Sequence, residues 1–150
     1  MSSTTTRPID LLLIEDQPSD ADLALRALDE LGVGEQVHLV EDGAEALDFV
    51  FGRDAYAERS LADAPALILL DLKLPKVSGL EVLRCLKSDE RTQGIPVIVL
   101  SSSKEDRDVE RCYEMGVNSY VVKPVDFDRF TETVQRIGTY WLQTNEGPTS

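Results

Sequence analysis

Positive charge is scarce in this sequence: 15 Lys and Arg stand against 28 Asp and Glu, a formal net charge of −13. Such a balance repels phosphodiester backbones and anionic headgroups, so direct DNA binding and membrane-surface binding are not expected. Cationic partners and divalent metals suit it better. Cysteine is nearly absent: Cys85 and Cys112 form no CxxC pair and no Cys/His ligand cluster, and they read as reduced structural thiols of a cytoplasmic protein. His38 is the single histidine and reads as structural. No apolar run approaches the roughly 18 residues that a membrane span needs. Met1 to Pro8 is polar and rich in Ser and Thr, unlike a signal peptide.

What is present is enough for one compact domain. The chain has 150 residues, 42% of them hydrophobic and 29% charged, which allows a full core without disulfide or metal staples. Apolar runs alternate with helical patterns. Ile9 to Ile14 is a nearly continuous apolar strand, followed by Ser19 as a helix cap and Ala24, Ala27, Leu28 and Leu31 at helical spacing. Gln36 to Val40, Ala66 to Leu70, Pro96 to Leu100 and Tyr120 to Val122 read as further strands. Gly43 to Phe51, Gly79 to Lys87 and Lys104 to Met115 read as the helices between them. Gly52 to Pro65 is a longer connection of weak periodicity. Phe127, Phe130, Val134, Ile137 and Trp141 form an amphipathic stripe on a last helix. Five β–α pairs in regular order predict an α/β fold with a doubly wound five-stranded parallel sheet flanked by five helices. Its chemistry belongs beyond the carboxyl ends of the strands.

Those ends carry a distinctive set of side chains. Glu15 and Asp16 follow the first strand, Asp71 the third, Ser101 the fourth and Lys123 the fifth. Clustered carboxylates need a cation to stay ionised together, and an oxygen-only ligand set selects a hard ion such as Mg²⁺. Three carboxylates and one lysine sum to −2, which one Mg²⁺ neutralises. Asp71, on the central strand between the acids and the Ser101/Lys123 pair, is the best candidate nucleophile toward a phosphoryl group. Phosphoryl transfer asks mainly for positioning and charge stabilisation, and a metal, a lysine and a hydroxyl suffice. A cis Lys123–Pro124 peptide bond is expected to turn the chain and aim the ammonium inward.

Asp71-Leu72-Lys73-Leu74-Pro75 followed by Ser78-Gly79, the Glu15-Asp16 pair before it, and Ser101 and Tyr120-Val121-Val122-Lys123-Pro124 after it, resemble the receiver domain of two-component response regulators. The resemblance covers about residues 9 to 141. It implies a receiver domain over residues 9–142 between a disordered tail at 1–8 and a polar tail at 143–150, with the flavodoxin-like strand order 2-1-3-4-5. It implies Asp71 as phosphoacceptor, and Glu15, Asp16, Asp71 and the backbone carbonyl of Lys73 as Mg²⁺ ligands. Lys123 and Ser101 would stabilise the phosphoryl group, and Ser101 and Tyr120 would form a switch in which the hydroxyl moves to a phosphoryl oxygen and the ring rotates inward.

The long Gly52 to Pro65 connection, Lys76 and the Ser101-Ser102-Ser103 run resemble the single-domain regulators that serve phytochrome-type sensor kinases. The implied function is acceptance of a phosphoryl group from a sensor histidine kinase, with a bacteriophytochrome as the candidate partner, for signal transduction or phosphorelay. The protein would be a phosphoacceptor that catalyses its own phosphorylation and dephosphorylation, with no separate turnover substrate. A homodimer through the fourth helix, fifth strand and fifth helix is expected, with Tyr140 and Trp141 as interface candidates. The alternative is a Mg²⁺-dependent phosphatase or phosphotransferase with an aspartyl nucleophile, but the second acid such enzymes carry two residues on is here Lys73. A flavodoxin-like ligand module is disfavoured because Glu15-Asp16-Gln17-Pro18 puts negative charge where a phosphate loop would sit.

Overall fold

The computed structural model describes residues 11–60 and 64–145. Ile9 and Asp10 of the expected first strand, and residues 1–8 and 146–150 of the expected tails, lie outside the described residues. Strands and helices alternate: β1 (Leu11–Ile14), α1 (Pro18–Glu30), β2 (Val37–Val40), α2 (Gly43–Phe51), β3 (Leu67–Leu70), α3 (Gly79–Ser88), β4 (Val97–Ser101), α4 (Asp106–Glu114), β5 (Ser119–Val122) and α5 (Phe127–Gly138). All strand pairs are parallel, in the order β2-β1-β3-β4-β5. The expected doubly wound, flavodoxin-like sheet is therefore what the chain forms.

Strict alternation along each strand divides the core in two. Leu11, Leu13, Leu67, Leu69, Ile98 and Leu100 turn to one face, under Ala24, Ala27 and Leu28 of α1 and Phe130, Val134 and Ile137 of α5. Leu12, Ile14, Ile68, Leu70, Val97 and Val99 turn to the other, under α2, α3 and Cys112 of α4. Each buried Leu or Ile contributes roughly 1.5–3 kcal/mol, so strands as short as four residues hold their register.

Helix starts follow local chemistry. The side chains of Asp42, Ser78 and Asp126 each accept a first-turn backbone N–H, from Glu45, Glu81 and Arg129. Helix α1 differs from expectation: Ser19 lies inside it, and Gln17 is the N-cap without a side-chain bond. The reason is Pro18, whose fixed φ and missing N–H set the first helical position two residues earlier. Phe127 also departs from the expected stripe: it is 70% exposed, one turn before the first buried residue of α5. Beyond α5 a π-helical turn (Thr139–Thr144) returns Trp141 and Leu142 to the α1/α5 core and leaves Tyr140 exposed.

Candidate functional site

Backbone hydrogen bonds carry the sheet one residue past its formal ends. Glu15 N–H donates to Val40 O at 3.0 Å, Asp71 N–H to Ile14 O at 3.1 Å and Lys123 N–H to Ser101 O at 2.8 Å. The strand-end residues are thus held at the sheet's carboxyl edge by the same ladder that orders the core. Behind Asp71 the chain is packed close: a methyl group at Gly79 would collide with the Asp71 carbonyl and the Leu72 backbone, so glycine is required at the start of α3.

The ammonium of Lys123 sits in the middle. Its Nζ lies 2.7 Å from Glu15 Oε2, 2.8 Å from Asp20 Oδ2 and 3.1 Å from Asp71 Oδ2. The second oxygens are also engaged: Gln17 N–H donates to Glu15 Oε1 and Lys73 N–H to Asp71 Oδ1, both at 3.1 Å. Glu15 is only 4% and Asp71 6% exposed. Burial pushes the Glu15 carboxyl up to about 7, against the bond from Lys123 and with help from the charge of Asp71. For Lys123 burial acts downward, but the bonds to Asp20 and Glu15 and the charges of Glu15 and Asp71 outweigh it and hold the pKa above the ordinary lysine range.

No cis peptide bond occurs among the described residues, so the expected cis Lys123–Pro124 bond is trans. The turn it was meant to supply is unnecessary. Position Lys123 is fixed by its backbone bond to Ser101, and the lysine stem alone reaches the three carboxylates.

Glu15, Asp16 and Asp71 each place a carboxylate oxygen within 4.8 Å of the others. Asp16 Oδ1 is buried and has no hydrogen-bond partner. A buried carboxylate oxygen without a donor is costly, and a cation bound by this all-oxygen trio removes the cost. The residues present therefore fit a hard divalent metal. Open space of about 230 Å³ adjoins Glu15 and Asp16 beneath α1, on the side that Lys123 does not fill.

Ser101 is fully buried, and its Oγ accepts the Ser103 N–H at 3.2 Å. Tyr120, half-buried against the α2/α3 core, donates its hydroxyl to the Ser103 carbonyl at 2.9 Å. One residue of the β4–α4 loop thus joins the hydroxyl and the aromatic side chain. Ser103 Oγ in turn donates to Asp108 Oδ2 in the first turn of α4.

Sequence reasoning brought Glu15, Asp16, Asp71, Ser101 and Lys123 to one edge, and they are found there; Tyr120 lies inside β5 opposite Val99 and reaches the β4–α4 loop through its hydroxyl. Sequence reasoning missed Asp20. The available signal was an acid four residues after Asp16, but an acid in the first turn of a helix has an ordinary explanation in the helix dipole.

A five-stranded parallel sheet with an acid trio and a lysine at its carboxyl edge defines a receiver-type phosphoacceptor module. The response regulator receiver domain family model matches residues 11–135, and the chain belongs to that family. The family's general function is phosphorylation on an aspartate followed by conformational switching. A curated relative, the probable methanogenesis regulatory protein FilR2 of Methanothrix harundinacea, is 43% identical over 94% of this chain and 88% of its own. Response regulator Rcp1 of Synechocystis sp. is 35% identical over 96% of both chains. Its Mn²⁺-bound crystal structure superposes with a TM-score of 0.83 at 34% identity, over 93% of this chain and 98% of that one. The phosphorylated cyanobacterial phytochrome response regulator RcpA superposes with a TM-score of 0.88 at 37% identity, over 95% of this chain and all of that one. The protein is a response regulator similar to those of phytochrome systems, a class that partners with histidine kinases. Among the described residues no helix is long and apolar enough to cross a membrane.

Proposed function

We propose that Asp71 is the phosphoacceptor, that Glu15, Asp16, Asp71 and the Lys73 carbonyl hold Mg²⁺, and that the donor is the phosphohistidine of a phytochrome-type sensor kinase. The observation that supports this reading is the Lys123 ammonium held 3.1 Å from a buried carboxylate that also belongs to the acid trio. A carboxylate oxygen of Asp71 attacks phosphorus; the P–N bond of the donor breaks, a P–O bond forms, and imidazole leaves with its electron pair and takes up a proton. Lys123 neutralises charge on the transferred group. A bound divalent cation supplies Lewis-acid stabilisation of the phosphoryl oxygens. The Ser101 hydroxyl, whose Oγ accepts the Ser103 N–H, turns to donate its proton to a phosphoryl oxygen, and Tyr120, bonded to the Ser103 carbonyl, reports the change to α4. Hydrolysis by water returns the carboxylate and inorganic phosphate, so the chain catalyses its own phosphorylation and dephosphorylation. Exposed Tyr113 and Val122 support pairing of two copies through α4, β5 and α5, which sedimentation with and without phosphorylation tests.

The decisive experiment treats the protein with a small acyl phosphate and Mg²⁺ and follows intact mass. The wild type gains one phosphoryl group and Asp71→Asn gains none. Persistent labelling of the Asn variant overturns the assignment.

A further inference from the structure

We propose that Asp20 is a positioning residue that keeps Lys123 aimed at the phosphoryl group before and after transfer; this rests on Asp71 as phosphoacceptor. An ammonium has three N–H donors, and here each has a carboxylate: Glu15 at 2.7 Å, Asp20 at 2.8 Å and Asp71 at 3.1 Å. The longest of the three goes to the carboxylate that is phosphorylated. On becoming an acyl phosphate, Asp71 loses its charge and most of its acceptor strength, while charged phosphoryl oxygens arrive beside it. The third donor therefore passes from Asp71 to the phosphoryl group by a short movement, provided the other two contacts hold the ammonium in place.

Those two contacts are not equivalent. Glu15 belongs to the acid trio and is drawn toward a cation, so its oxygens are contested. Asp20 lies outside that trio, on the first turn of α1, with 30% of its side chain exposed. Its backbone is fixed because Ala21, Ala24, Ala27 and Leu28 are buried and α1 packs against α5. Partial exposure keeps its charge inexpensive, and the helix N-terminus favours it further. The lysine stem, by contrast, carries about 2 kcal/mol of rotamer freedom that must be restrained for the charge to act at one point. Asp20 is the acceptor free to supply that restraint throughout the cycle. An ammonium held by Glu15 and Asp71 alone would swing when either changed its charge.

The test uses beryllofluoride, a stable phosphoryl mimic, titrated at saturating Mg²⁺ and read by fluorine NMR or calorimetry. Asp20→Ala is expected to weaken its affinity roughly tenfold, the scale of one charge-assisted hydrogen bond. Asp20→Asn, which keeps an oxygen acceptor in place, is expected to lose less, and Asp20→Glu to recover part of the affinity. In a Lys123→Met background Asp20→Ala is expected to add nothing, because the effect passes through the ammonium. Unchanged or tighter binding in Asp20→Ala and Asp20→Asn overturns the proposal, as does an equal loss with and without Lys123. Asp20→Asn alone suffices for the comparison if Asp20→Ala does not fold. Wild type that binds no beryllofluoride, or Asp71→Asn that binds it normally, overturns the Asp71 assignment instead.

Discussion

Two of the polar clusters beside this sheet are built on opposite plans. At the carboxyl edge three carboxylates, Glu15, Asp20 and Asp71, share the Lys123 ammonium, while Asp16 stands beside Glu15 and Asp71 with one oxygen left without a partner. At the β2 edge His38, Tyr56 and Glu45 form a closed chain. The Tyr56 hydroxyl donates to Glu45 Oε2 at 2.6 Å and stands 3.1 Å from His38 Nε2. With the hydroxyl proton committed to Glu45, the imidazole is the donor in the second bond. Phe49 lies between the His38 ring, stacked at 4.5 Å, and the Arg59 guanidinium at 3.9 Å. That arrangement pins Tyr56 and Arg59, in the connection after α2, against the β2 edge, and His38, Tyr56 and Glu45 are joined in one hydrogen-bonded chain. The first cluster is short of positive charge, which a divalent cation would supply. Like residue types serve binding when partners are too few and cohesion when they are balanced.

The largest effect expected is on Lys123. Lys123→Met leaves Glu15 and Asp71 buried without their counter-ion, and a broken buried pair costs about 3 kcal/mol or more. Urea unfolding without metal should show that loss above pH 7, shrinking at lower pH as Glu15, with its pKa of about 7, becomes neutral. Asp71→Asn should move the other way, raising the metal-free midpoint by roughly 1 kcal/mol because a charge that opposes Glu15 ionisation is gone. Loss of stability in Asp71→Asn would mean that the edge is not in deficit.

Metal and pH come next. Glu15 is raised from 4.5 to about 7, so its folded state binds more protons than its unfolded state between those values. Without metal, its contribution is present below pH 4.5 and is lost as pH rises through about 7, a swing on the order of 2–3 kcal/mol. Mg²⁺ capture must displace that proton, so affinity measured by calorimetry should rise between about pH 6 and 8 and then level. A flat profile would remove Glu15 from the ligand set.

The contrast also explains what could be read in advance. Strand ends were legible because a buried parallel strand is an uninterrupted apolar run, and the polar residue that stops it marks the sheet edge, as at Ile14-Glu15, Leu70-Asp71 and Val122-Lys123. Asp20 was not, because its role depends on a lysine 103 positions away. Nor was the Tyr56 to His38 contact, since Tyr56 lies in a connection whose weak periodicity gives no side-chain direction. The trans Pro124 shows a local rule overruled: the lysine stem was long enough without a turn.

Closure of the second cluster predicts smaller effects of the opposite kind. Tyr56→Phe removes a hydroxyl that bridges His38 and Glu45, costing about 1 kcal/mol, with beryllofluoride affinity unchanged. Changed affinity would show that the clusters communicate. His38 is the finest probe. Burial lowers its pKa from 6.5, Arg59 lowers it further and Glu45 resists. The folded state therefore prefers neutral imidazole, so its contribution is complete above pH 6.5 and is lost as pH falls, by a few tenths of a kcal/mol for a half-exposed ring. Glu15 titrates with the opposite sign over an overlapping range, so the wild-type profile alone shows only their difference. Comparing His38→Gln with wild type by urea midpoint, each in Asp71→Asn background, isolates the imidazole: the gap should narrow as pH falls below 6.5. A gap independent of pH would mean that His38 acts by stacking on Phe49 alone, and the β2-edge cluster would then be held by packing rather than by its hydrogen-bonded chain.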